Sequence, residues 1–166
     1  KQPTAYISGW KERAEYNPEI ADIVAQKLSE AGKRWYTSEN ANAAILAYTT
    51  ACELDTENTT YKLRLAQLFE FCGETEQALH WYALALREGT TSMAVLDRTA
   101  LLSKTMEMPA TVAYWKALFE SLPDHWRIGM LYGAALESAK DYTKAAEVYR
   151  EMSKYHLGQP DTHLAQ

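Results

Sequence analysis

Residues 28–51 read LSEAGKRWYTSENANAAILAYTTA. A shift of 34 residues carries Gly32 onto Ala66, Trp35 onto Phe69, Ala44 onto Ala78, Tyr48 onto Tyr82 and Ala51 onto Ala85. Small residues meet small residues and aromatics meet aromatics. A further shift of 67 carries Ala66 onto Gly133, Phe69 onto Leu136, Ala78 onto Ala145 and Tyr82 onto Tyr149. That step is twice the first less one, so a third unit with a single deletion lies between. It supplies Ala100 on its first helix and Trp115 on its second. Self-similarity at such a period marks a repeat architecture, in which no single unit buries its own apolar face.

The pattern has a packing cause. Small residues let two helix backbones approach closely, and large ones fill the space beside them. Here the small set is Gly32, Ala44, Ala66, Ala78, Gly133 and Ala145, and the large set is Trp35, Tyr48, Phe69, Tyr82, Trp115 and Tyr149. Full burial of one aromatic contributes roughly 2–3 kcal/mol. Periodicity and breakers predict helices over 19–37, 41–54, 59–72, 75–88, 92–106, 109–121, 124–139 and 142–156, after one over 5–16 that Pro18 ends. Gly73 closes one hairpin, and Pro109 opens a helix in its first turn. Asp124 and Asp141 are the expected N-caps.

A helix–turn–helix of 34 residues with this small/aromatic pattern resembles the tetratricopeptide repeat (TPR) family. Gln77-Ala78-Leu79 with Tyr82 and Ala85 is similar to that family's second helix, as is Asp141-Tyr142 with Ala145 and Tyr149. Ala51-Cys52-Glu53-Leu54-Asp55 resembles its end, with Thr56 where the family usually has Pro. Pro123 keeps that Pro in the third unit. The third unit departs most, with Thr111 or Val112 in place of a small Ala. The resemblance implies an all-α fold, a right-handed superhelical array of antiparallel hairpins. It divides the chain into a last helix of a preceding repeat (1–18), repeats at 19–58, 59–92, 93–125 (degenerate) and 126–159, and the start of another at 160–166. With no polar capping helix evident and Lys1-Gln2-Pro3 at the start, the chain is expected to be an internal segment of a longer array.

Composition narrows the function. At 47% hydrophobic and 23% charged, the 166 residues suit a folded chain with a sizeable core. A net charge of −5 without a basic cluster excludes a nucleic-acid wrapper. No run of about 18 apolar residues exists to span a membrane. No His-Glu-x-x-His, Gly-x-Ser-x-Gly, Gly-x-x-x-x-Gly-Lys or Cys-x-x-Cys occurs, so neither catalysis nor a cofactor or metal is expected. His80, His125, His156 and His163 lack the i, i+4 spacing of zinc ligands on one helix. Cys52 and Cys72 lie roughly 20 Å apart by helix rise, beyond the ~7 Å a disulfide allows. Both are expected to be free thiols that serve packing. Most of the nineteen aromatics fall on core positions; Tyr36, Phe71 and Trp126 do not, and are candidates for exposed contact.

In the family the first helix of each unit lines a concave groove. Mapped here, that implies Ser29, Lys33, Tyr36 and Thr37, then Leu63, Arg64, Gln67 and Phe71. Asp97, Arg98, Leu101 and Lys104 follow, then Arg127, Met130, Leu131 and Glu137. The partner-binding candidates are Lys33, Tyr36, Arg64, Gln67, Phe71, Asp97, Arg98 and Arg127. Aromatic and Arg anchors suit an extended peptide or partner helix. The clamp by which chaperone-binding members grip an acidic tail is missing, since Ser29, Lys33, Leu63 and Gln67 hold its places. The expected function is a non-catalytic scaffold that binds another protein. The degenerate, Tyr- and Trp-rich units are similar to TPR scaffolds of bacterial exopolysaccharide export systems of the Pel type. That similarity implies a recruited partner enzyme and the periplasm or cell envelope rather than the cytoplasm. The alternatives are self-assembly into a homo-oligomer and direct glycan or ligand binding in the groove.

Overall fold

A computed structural model describes residues 2–90 and 92–157, with side chains through Lys154. The expected further unit at 160–166 and His163 lie outside the described residues, as does the side chain of His156. The described residues hold helices and no strand. They are α1 (Pro3–Tyr16), a 3-10 turn (Pro18–Ile20), α2 (Ala21–Thr37), α3 (Ala41–Leu54), α4 (Thr59–Phe71), α5 (Thr75–Arg87), α6 (Met93–Ser103), α7 (Met108–Ser121), α8 (Trp126–Ser138) and α9 (Tyr142–Leu157). They form two compact units, one holding α1–α5 and ending at Thr90, the other holding α6–α9. Within the first, α2 packs on α3, α3 on α4 and α4 on α5, with α1 against α2 and α3. Within the second, α7 packs on α8 and α8 on α9.

Helix starts follow from side-chain caps. Asn40 accepts from the Ala43 amide at 3.2 Å, Asn58 from Thr60 at 3.2 Å and Asp141 from Lys144 at 3.3 Å. The expected cap at Asp124 is corrected. His125 is the N-cap, because its carbonyl accepts from Ile128 and Gly129, so the cap moves on by one residue and α8 begins at Trp126 rather than 124. Asn17 accepts from the Glu19 amide at 3.3 Å, and with Pro18 it makes the 3-10 turn that delays α2 to residue 21.

Helix ends repeat one geometry. Asn40 donates to the Trp35 carbonyl, Glu74 to Phe69 and Asp141 to Leu136, each at 2.9 Å. The residue just before each donor has left-handed backbone: Glu39 (φ 60°), Gly73 (φ 78°) and Lys140 (φ 63°). These are Schellman turns, which satisfy the orphan carbonyls of a helix end. Their positions keep the steps of 34 and 67 seen in the core residues. The third hairpin breaks the series. Lys104, Thr105 and Met106 donate to Leu101, Leu102 and Ser103 in tight 3-10 fashion. The missing residue of that unit is lost at the end of α6, which has 11 residues against 13 in α4 and α8, while the turn after it has one residue more than the other hairpin turns.

In the first unit a continuous core joins Val24, Leu28, Ala44, Tyr48, Ala51, Tyr61 and Leu65. Gly32 marks a close approach in this unit: a Cβ there would sit 2.8 Å from Cε2 of Tyr48. Gly133 stands in the same relation to Tyr149 in the second unit. There the degenerate hairpin is held by polar links instead. Thr111 donates its hydroxyl to the Ser103 carbonyl at 2.8 Å, and Trp115 donates Nε1 to the Ser103 hydroxyl at 3.1 Å. Thr111, which stands where a small residue was expected, is buried and hydrogen-bonded, as a buried hydroxyl requires. Lys62, whose side chain is only 7% exposed, pairs with Glu88 and also donates to the Thr56 carbonyl. It ties the start of α4 to the segment after α3 and to the end of α5.

Candidate functional site

The two cysteines have different surroundings. Cys52 is buried, and its burial pushes the thiol up to about 12, with the Lys62 ammonium opposing. Cys72 is exposed at the C-cap of α4, so its expected packing role is corrected. It follows the last helical residue and has turned off the buried face. Among the described residues, no group of three or more His, Cys, Asp or Glu could hold a metal ion. No helix there is long and apolar enough to cross a membrane.

The candidate interaction residues fall into one group in each unit. In the first unit α2 presents Ser29, Lys33 and Tyr36 at i, i+4 and i+7, and α4 presents Arg64, Gln67 and Phe71 at i, i+3 and i+7. These spacings put each set on one helix face. The helices stand close enough for the Tyr36 and Phe71 rings to meet edge to face, with centroids 5.5 Å apart at 84°. Both rings remain open to solvent, 44% and 69% exposed. An edge-to-face pair is worth about 0.5–1.5 kcal/mol beyond its buried area, so these rings hold each other in place. Beside them, Arg64 donates Nη1 to Oε1 of Gln67 at 3.0 Å. Ser29 reaches back to the buried Tyr48 phenol, whose pKa is raised by burial and held down by that hydrogen bond and by Arg64. Lys33 is exposed.

In the second unit Asp97 on α6 and Arg127 on α8 form an ion pair at 3.0 Å. The Arg127 guanidinium also lies 5.9 Å from the centroid of the exposed Trp126 ring. Arg98 is exposed next to Asp97, and Leu101 and Met130 add exposed apolar surface. Asp97 and Arg127 are thus engaged with each other, whereas the first-unit group offers aromatic faces. Sequence reasoning missed a cleft lined by Ser103, Met106, Met108, Thr111, Trp115 and Leu131. Its signal was the one-residue deletion, which falls between Ala100 and Thr111, where α6 ends early and the cleft opens.

No protein-family model matches the sequence, and no curated protein matches it significantly. Solved structures do match in fold. The chain is similar to MamA protein at 17% identity and a TM-score of 0.51, over 96% of this chain and 86% of that one. It is similar to PilF of Pseudomonas aeruginosa at 15% identity and 0.44, over 97% and 80%. It is also similar to YrrB, described as a TPR protein with an unusual peptide-binding site, at 16% and 0.41, over 92% and 93%. What the MamA likeness shares at such identity is the fold. With the hairpins and their close-packed small residues, it makes this an all-α TPR fold.

Proposed function

We propose that this chain is a non-catalytic protein-interaction scaffold, whose first-helix faces receive a segment of another protein. The observation that carries the reading is the exposed Tyr36–Phe71 pair, two aromatics from consecutive first helices kept out of the core and locked against each other. Exposed aromatic surface of this kind, flanked by cations, is what interface anchors are made of. Lys33, Arg64 and Gln67 complete this group, and Asp97, Arg98 and Arg127 form the second. The finer reading is recruitment of a partner enzyme in bacterial exopolysaccharide export. It rests on the resemblance of the degenerate, aromatic-rich repeats to such scaffolds.

The test is site-specific photo-crosslinking in the native cells, with the probe at Tyr36, Arg64 or Phe71 and at the outward Glu147 as control. The expected result is one protein, identified by mass spectrometry, captured from the first three positions and not from Glu147, and bound again when both partners are purified. Capture of other copies of this chain alone would transfer the face to self-assembly. Capture of no protein would favour a glycan. Either result overturns the proposal.

A further inference from the structure

The first-unit face has a charge character that the whole chain does not. The chain carries −5, yet the candidate interaction residues that accompany Tyr36 on α2 and Phe71 on α4 are Lys33 and Arg64 with the neutral Ser29, Thr37 and Gln67. No carboxylate occupies these positions. Arg64 bonds the neutral Gln67 amide, and no carboxylate pairs with it or with Lys33 among the described residues. The acid on this stretch of α4 is turned elsewhere, because Glu70 accepts from the Tyr82 phenol at 3.0 Å. The second-unit face differs, since Arg127 is already matched by Asp97. Two cations left unmatched beside two exposed rings make a local site for anionic groups joined to an apolar one.

We propose that this face takes an acidic peptide segment of the partner. Side-chain carboxylates of that segment pair with Lys33 and Arg64, and one aromatic or large aliphatic side chain rests on the Tyr36–Phe71 edge. The proposal deepens the scaffold reading and rests on it. The Arg64 guanidinium keeps donors free after its single bond to Gln67, which leaves room for a bidentate carboxylate. Opposed charge speeds encounter and rejects basic segments, while the rings supply the contact that holds the complex.

The probe is a synthetic nine-residue peptide of Asp and Glu with one central Phe, labelled and titrated by fluorescence anisotropy. Its controls are the same peptide with Lys for every acid and with Ala for Phe. Binding is expected for the acidic Phe peptide and not for the Lys peptide, and salt should weaken it. Lys33→Glu and Arg64→Glu should each weaken binding about fivefold or more, and Phe71→Ala about tenfold. Lys116→Glu, an exposed change on α7, should leave it unchanged. Circular dichroism confirms that each surface variant keeps its helices. Equal binding by the Lys peptide, or indifference to both charge reversals, would overturn the proposal. So would equal binding of a single-stranded oligonucleotide of matching charge that ignores Phe71→Ala. If crosslinking captures a partner through a basic or neutral segment, the scaffold reading stands and this inference falls.

Discussion

Replacing Gly32 by Ala sets two known effects against each other. In a helix interior Ala is favoured over Gly by about 1 kcal/mol. Gly32 lies within α2, but its new Cβ would sit 2.8 Å and 2.9 Å from two carbons of the Tyr48 ring and 3.4 Å from Cβ of Ala47. The ring has little room to move, since Tyr48 is only 5% exposed. Overpacking of this kind costs about 1–3 kcal/mol. The net expectation is a loss of about 1 kcal/mol. Gly9 is the internal standard. It is exposed within α1, and a Cβ there meets nothing within 4 Å, so Gly9→Ala should gain about 1 kcal/mol. The two variants then differ by about 2 kcal/mol, or about 1 M in urea midpoint at a slope of about 2 kcal/mol per M. A Tyr48→Leu background should erase the penalty at position 32, as a double-mutant cycle would register. If Gly32→Ala proves as stabilising as Gly9→Ala, the close approach of α2 and α3 is not what Gly32 is there for.

Lys140→Gly removes a side chain from left-handed backbone and should raise stability by about 1 kcal/mol, read as a rise in melting temperature. Unchanged or lowered melting would contradict the Schellman assignment. Ser103→Ala leaves the buried Trp115 Nε1 without its acceptor and should cost about 1–3 kcal/mol in chemical denaturation; a neutral result would mean the polar link contributes nothing. Cys72 should react with a thiol reagent at once and Cys52 only on unfolding. Because the folded Cys52 thiol is raised to about 12, its contribution is intact below the unfolded value of about 8.5 and is lost as pH rises from there through 12. Urea midpoints across that range should fall less steeply for Cys52→Ala than for the parent chain, and parallel curves would refute it.

The close approach was legible because it constrains residue type. Where backbones meet, only Gly or Ala fits, so Gly32, Ala66 and Gly133 recur at fixed steps beside Tyr48, Tyr82 and Tyr149. Helix limits were legible within two or three residues for the same reason, since breakers and caps stand beside them. The choice between Asp124 and His125 was not. Both follow Pro123, and which one caps depends on where the backbone first turns helical. Cys72 was misread because the last position of a helix can rotate off the buried face, which periodicity does not record. The sequence marked Tyr36 and Phe71 singly as off the core positions. Their contact depends on the spacing of α2 from α4, set by side chains between them. The polar links of Ser103, Thr111 and Trp115 were hidden because a deletion moved the residues out of the repeat's frame.

The Lys62–Glu88 contact bears on how the first unit would yield under tension. A pull applied at Thr90 reaches Glu88 two residues earlier, and there the load passes through the ion pair into α4 and, by Lys62, to the Thr56 carbonyl. The force therefore does not peel α5 away turn by turn from its end. It works on α4 and α5 together, and the hairpin leaves as one block, releasing about 100 Å of chain in a single step. A pair exposed at both ends would let the helix fray first; this one, anchored on the buried Lys62, rivets the last helix of the unit to the one before it.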